Sequence, residues 1–307
     1  MAAPRALPTR IVLATLLSCL AILTPGVPPE QPAHAESPQS ALAADPRYYD
    51  IGNPVLTCGR CSDCLEGNQQ GCINRSAMGL TRNGTFAEKV SLPSKNVYKL
   101  PKTVDLEVAA LCEPLNTIIR AYEKADPDYG DTVLISGPGT MGMLALLMGR
   151  FCGCGKIIMT GLEIDRERLR MAERLGAITI NLQREDVKER VRDITGGAGA
   201  DVAIETSGNS KAVTQDLDLL GRRGKMILVG FSEEPCEFLP IAFLLNETTM
   251  MAVRAYNPKT WETCLKVVST GKVDLKAVIT HRLPLEESER GFQLLEQREG
   301  LKILIIP

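Results

Sequence analysis

Histidine is nearly absent: His34 and His281 are the only two in 307 residues. A Ser-His-Asp triad or a histidine-built metal centre therefore starts with too few parts. Net charge is scarce as well. The 35 basic and 37 acidic residues leave a formal charge of -2, with no long run of either sign. This balance argues against a nucleic-acid surface and against a disordered acidic tail, and favours small-molecule chemistry. Long apolar runs are missing too, since the longest candidate, Ile11 to Leu23, is too short for a comfortable transmembrane helix. With 44% hydrophobic and 23% charged residues, the chain has the balance of a soluble protein long enough for two ordinary domains.

The N-terminus is of a different character. Arg5 and Arg10 precede the apolar run, a Pro-rich stretch follows, and Ala33-His34-Ala35 then resembles a small-residue cleavage site. That layout predicts a secretory signal and export. The alternative is a leader that mimics a signal by composition alone, from a misplaced start or a frameshift. Residues 36–50 have no clear period and read as a linker.

Cysteine is the richer reagent, and four of the ten lie between Cys58 and Cys72. Cys58-Gly-Arg-Cys61-Ser-Asp-Cys64, then Cys72, gives the spacing C-x2-C-x2-C-x7-C, with Gly59, Gly67 and Gly71 permitting tight turns. Four thiolates close a tetrahedral shell around zinc and leave no position for water or substrate, so such a site is structural. An iron-sulfur cluster and, in an exported protein, two disulfides are the alternatives. Cys112, Cys152, Cys154, Cys236 and Cys264 are scattered among apolar neighbours and are expected to be small buried hydrophobes.

A second motif follows a β-branched run. Asp131-Thr-Val-Leu-Ile-Ser136 leads into Gly137-Pro138-Gly139-Thr140-Met141-Gly142 and then an apolar helical stretch through Leu147. Strand, glycine turn and helix is the context in which G-x-G-x-x-G binds a dinucleotide, its pyrophosphate facing the helix N-terminus. Lys156–Thr160, Asp201–Thr206 and Lys225–Gly230 are further expected strands, separated by helix-length segments. The alternation predicts an α/β fold with a Rossmann doubly wound parallel sheet, in which Gly208 and Gly230 close strands at the cofactor edge. The acid that would hold the ribose hydroxyls belongs at the end of the second strand, where Gly161 stands instead. Glu163 or Asp165 is the substitute, while Arg166 and Arg168 nearby suit a 2'-phosphate, leaving NAD and NADP both open.

From about Asn53 onward the chain resembles the medium-chain zinc-dependent alcohol dehydrogenases of the sorbitol and threonine dehydrogenase type. The resemblance rests on Asn53 to Cys72, on Gly84-Thr-Phe-Ala-Glu-Lys-Val90 and Asn96 to Pro101, on the Rossmann fingerprint, and on Ile279-Thr-His281-Arg282-Leu-Pro-Leu-Glu with the closing strand Lys302–Ile306. After the signal-like leader and linker over 1–50, it implies a partial GroES-like catalytic domain over 51–122, an NAD(P)-binding domain over 123–254, and a C-terminal segment, 255–307, that completes the catalytic domain. It also implies hydride transfer between a secondary alcohol and NAD(P), a structural zinc on the four cysteines, homo-oligomerisation and a cytoplasmic setting, with no nucleic-acid partner and no membrane beyond the signal-like segment.

Most catalytic-zinc ligands of that family come from a stretch ahead of the structural lobe, a cysteine and then a histidine followed by glutamate. Nothing in residues 1–49 matches it, since Cys19 and His34 stand in other contexts. The chain is thus expected to be N-terminally truncated, poorly soluble, and in the alternative reading a catalytically impaired fragment. One candidate ligand remains, Glu113 in Leu111-Cys-Glu-Pro-Leu115, which by resemblance lies at or near the catalytic zinc. Its alternative is an acid at the start of a helix. His281 is expected to serve packing.

Overall fold

The computed structural model describes residues 48–87 and 90–306. The signal-like leader, with Cys19 and His34, lies outside them. Four short strands come first: β1 (Tyr48–Gly52), β2 (Val55–Leu56), β3 (Ser76–Ala77) and β4 (Val97–Pro101). They form two antiparallel pairs, β1 with β4 and β2 with β3.

The central sheet is built from β5 (Thr132–Ser136), β6 (Lys156–Gly161), β7 (Ile178–Asn181), β8 (Ala200–Glu205), β9 (Leu220–Leu228) and β10 (Thr249–Ala252). All pairings are parallel and the order is β10-β9-β8-β5-β6-β7. The chain winds outward from β5 to β7, returns past it, and winds out the other way from β8. That reversal puts a crevice at the carboxyl ends of β5 and β8. The expected doubly wound sheet is present, although β9 starts five residues earlier than the sequence pattern indicated, at Leu220 rather than Lys225.

Burial on both faces explains the unbroken apolar strands. In β5, Val133 and Ile135 face one core and Leu134 the other. Helix Cys112–Ala125 is the seam of the molecule, packing on helices Thr140–Cys152 and Pro258–Ser269. One continuous core therefore runs from Ile51 and Leu100 through Leu115 and Leu144 to Trp261 and Leu304. At the C-terminus β11 (Ile279–Pro284) pairs parallel with β12 (Lys302–Ile306), covered by helix Ser288–Glu296.

The scattered cysteines are not uniform. Cys112 and Cys264 are buried as expected, Cys152 and Cys154 are partly exposed, and Cys236 is exposed, a correction to the sequence reading. Cys236 sits in the irregular segment after β9, which no apolar layer covers. Among the described residues no helix is long and apolar enough to cross a membrane.

Candidate functional site

The glycine turn between β5 and helix Thr140–Cys152 is crowded on two sides and open on the third. Gly137 has φ +98°, and a Cβ there would fall 3.0 Å from Ser207 Cα. At Gly142 a Cβ would collide with Gly137 O at 2.0 Å, so only glycine lets the helix start this close to the strand. Gly139, in contrast, has nothing within 4 Å of its would-be Cβ. The open position is the one where the motif requires backbone to approach a pyrophosphate. Gly139 caps the helix without any side-chain hydrogen bond, and the first-turn N–H groups of a helix have no intrahelical acceptor. Donors and empty space coincide, which suits a dianionic linker.

The neighbouring loops complete this edge. Glu205, at the end of β8 and 1% exposed, accepts from Ser207 N at 2.6 Å, Ser207 Oγ at 2.5 Å and Gly208 N at 2.9 Å. The loop is thereby folded over the glycine turn. A Cβ on Gly230 would come 2.3 Å from Gly208 N and 2.5 Å from Glu205 Oε2, so the two glycines pack against each other above this carboxylate. Thr206 Oγ1 donates to Gly137 O at 3.0 Å. On the opposite side Thr140 Oγ1 donates to Leu301 O at 2.8 Å, tying the C-terminal strand to the glycine turn. Pro138 flanks the end of β6, 3.1 Å from a Cβ on Gly161. Met141 packs inward against the core.

Asp165 and Glu163 differ sharply. Asp165 is 6% exposed and points inward, to Arg298 Nη1 at 2.9 Å and Leu162 N at 3.2 Å. Glu163 stays at the surface, with Arg184 on one oxygen at 2.6 Å and Asn181 Nδ2 on the other at 2.7 Å.

Next to this edge lies a small polar cluster that the sequence only half revealed. Tyr256 Oη donates to Glu113 Oε1 at 3.2 Å. Lys302, 2% exposed at the start of β12, supplies the facing positive charge. Burial pulls the Lys302 ammonium down to about 8, with the Glu113 carboxylate opposing that shift. Burial likewise raises Glu113, against the pull of Lys302 and Tyr256. Behind the cluster Trp261 stacks on Tyr98 at 5.0 Å and meets Tyr256 edge-on at 5.5 Å. Lys302 was missed as a site residue; the signal was a lone lysine in the apolar run Leu301-Lys-Ile-Leu-Ile-Ile306. His281 lies outside the cluster, its Nδ1 3.0 Å from Thr280 Oγ1.

The four cysteines converge. Cys58, Cys61, Cys64 and Cys72 have their sulfurs within 4.8 Å of one another, with Cys72 to Cys58 at 3.7 Å and Cys58 to Cys64 at 3.9 Å. A tetrahedral zinc with Zn–S of about 2.3 Å sets its sulfurs about 3.8 Å apart, so the residues fit that ion. Backbone N–H groups of Arg60 and Cys61 lower the Cys58 thiol to about 6, which favours the thiolate a metal needs. Gln70 Nε2 reaches from the lobe to Tyr256 O at 2.8 Å. The catalytic zinc meets no such fit. Among the described residues only the cysteine set gathers three or more ligand-type side chains, so Glu113 lacks that company.

Comparison with known proteins gives matches on both sides of the molecule. The family model for a zinc-binding dehydrogenase matches residues 140–270, and that for an alcohol dehydrogenase GroES-like domain matches 41–102. A sorbitol dehydrogenase of Halalkalibacterium halodurans is 34% identical over 84% of this chain and 78% of the relative. An L-threonine 3-dehydrogenase of Bacillus subtilis is 31% identical over 84% of this chain and 75% of the relative. A protein of Sinorhizobium meliloti 1021, described as a zinc-binding dehydrogenase and solved with NADP, superposes with a TM-score of 0.78 at 28% identity, over 87% of this chain and 79% of that one.

Proposed function

Because the chain belongs to the zinc-dependent alcohol dehydrogenase family, we propose that it is an oxidoreductase that moves hydride between a small secondary alcohol and NAD(P). The observation that carries this reading is the open backbone at Gly139, where helix N–H donors meet the sheet's switch-point crevice. When bound, the nicotinamide supplies the hydride acceptor; the protein's own task is placement and electrostatics.

Gly137, Pro138, Gly139, Thr140, Met141 and Gly142 hold the pyrophosphate, and the Glu205-anchored loop with Gly208 and Gly230 closes over it. Residues 123–254 carry the nucleotide, and 51–122 with 255–307 form the alcohol side. Glu113 stands there as the residue that touches substrate or its proton, steadied by Tyr256 and charge-balanced by Lys302. The described residues do not assemble the ligands of a catalytic zinc. The four cysteines hold a structural zinc that staples their lobe. A polyol or a threonine-like amino alcohol is the substrate class, since relatives bear both names. The nine described cysteines form no disulfide with one another, which favours the reducing cytoplasm, and an uncovered apolar strip on the sheet edge favours a homo-oligomer.

The relatives named are dehydrogenases, which favours this reading over a non-catalytic nucleotide-binding fragment. The test is NAD(P) reduction by a panel of polyols, threonine and simple secondary alcohols, alongside zinc analysis. Alcohol-dependent reduction with about one zinc per chain is expected; nucleotide binding with no reduction of any substrate would overturn the enzymatic assignment.

A further inference from the structure

The carboxyl end of β6 carries a charge pattern that bears on the choice between the two nucleotides. In a dinucleotide site of this topology an acid at the end of the second strand accepts from the ribose 2'-hydroxyl, whereas an arginine nearby accommodates a 2'-phosphate. Here the second strand, β6, ends in Gly161, whose would-be Cβ faces Pro138 of the phosphate turn at 3.1 Å. No side chain projects from the position where the acid belongs.

The two acids that follow are both committed elsewhere. Asp165 is buried against Arg298 at 2.9 Å. Glu163 has both oxygens occupied, by Arg184 at 2.6 Å and Asn181 at 2.7 Å, and its N–H donates to Gln183 Oε1 at 2.8 Å. It is thereby drawn towards the end of β7 rather than left to bind a diol. The cations sort differently. Arg168 is turned inward, donating to Gly300 O at 2.7 Å, but Arg166 and Arg184 keep side-chain exposures of 55% and 62%. Arg166 holds Glu163 and Glu167 only loosely, at 3.8 Å and 3.7 Å, both beyond hydrogen-bond length.

We propose that this chain is selective for NADP(H), with Gly161 vacating the diol site and Arg166 and Arg184 binding the 2'-phosphate. A phosphate monoester carries nearly two negative charges at neutral pH and three acceptor oxygens, so it outcompetes the single carboxylate of Glu163 for two guanidinium forks. NADH offers those arginines nothing in exchange for their present contacts. The inference rests on the nucleotide-binding reading above and adds the discriminating residues to it.

Equilibrium binding of NADPH and NADH to the full chain, followed by nucleotide fluorescence at low and high salt, tests it without requiring turnover. NADPH is expected to bind at least about tenfold more tightly, with an advantage that shrinks as salt screens the contact. Arg166→Ala and Arg184→Ala should each erode that advantage while leaving NADH affinity nearly unchanged, and both sites are exposed enough to tolerate the change. Equal or tighter binding of NADH, or variants that weaken both nucleotides alike, would overturn the selectivity. Binding of neither would overturn the nucleotide site itself, and the selectivity with it.

Discussion

Asp216 is a carboxylic acid with little room for a charge. It lies on helix Ser210–Leu219 with 0% exposure; Ser136 Oγ donates to its Oδ1 at 2.7 Å, while its Oδ2 has no hydrogen-bond partner. Burial raises it from 3.8 to about 7, and the nearby Glu205 charge adds to the rise against the Ser136 donor. The folded chain thus keeps a proton that the unfolded chain releases near pH 4, so folding takes up protons between about pH 4 and 7 and stability falls as pH rises through that window. The expected loss reaches a few kcal/mol at most, at about 1.4 kcal/mol per unit. Denaturant melts of the native chain and Asp216→Asn at pH 5 and 8 check this. The variant should lose much of the slope, and parallel slopes would sink the assignment. In the Glu113–Lys302 pair burial disfavours both charges, raising the carboxyl and lowering the ammonium, and each group eases that penalty for the other. Lys302→Met should destabilise by about 1–3 kcal/mol, and adding Glu113→Gln should recover part of it. Purely additive effects in that double-mutant cycle would show that the two groups do not interact.

At the scale of elements, the cysteine lobe is a loop with very little regular structure, one turn of helix over Ser62–Leu65 and two short β pairs around it. Such a segment has too small a core to order itself, so the metal is what fixes it. Cys61→Ser should cost the chain its zinc and make residues 58–75 the first site of proteolysis, while the melting of the six-stranded sheet stays nearly unchanged. Limited proteolysis with metal analysis decides it; a zinc-free lobe as resistant as the native one would refute the role. This lobe and the glycine turn were legible in the sequence because both motifs are local: spacing alone brings Cys58 to Cys72, and Gly137 to Gly142 lie in one strand-turn-helix stretch, with Gly142 answering Gly137 five residues before it, although the group that crowds Gly137 itself is the distant Ser207. The rest of the site was not. Tyr256, Lys302 and Glu113 meet only after three elements distant in the chain have docked, and nothing in the spacing of any one of them announces the other two. The inward turn of Asp165 was hidden for the same reason, because the arginine that holds it, Arg298, lies near the C-terminus. Strand β10 went unmarked since Thr249-Met-Met-Ala252 is short and its alternation is weak.

That inconspicuous strand decides how the whole molecule behaves. The sequence led us to expect exposed apolar surface around the GroES-like strands, and Leu80, Phe86 and Ile306 do lie open there. The denser strip is on the other side. Leu239, Ile241, Leu244 and Leu245 are between 56% and 73% exposed, and Met250 at 37% lies beside them on β10, the outer strand of the sheet. From Phe238 to Ala252 there is one charge, Glu247, and the strand has none of the lysines or prolines that usually guard an edge. A parallel sheet is normally covered on both faces, so a last strand with open side chains is incomplete as a monomer. A second copy would satisfy an unguarded edge and an apolar helix at once, because a two-fold axis would set each strand antiparallel to its own image and each helix against the other. The full chain should therefore sediment as a dimer at micromolar concentration. Leu244→Asp, made at a site 73% exposed, should leave the fold intact and shift the protein to monomer. Light scattering coupled to size exclusion reads both states directly. A native chain that is already monomeric and stays soluble at those concentrations would mean that the strip is either covered by something other than a second copy or tolerated bare, and the edge-to-edge dimer would then be wrong.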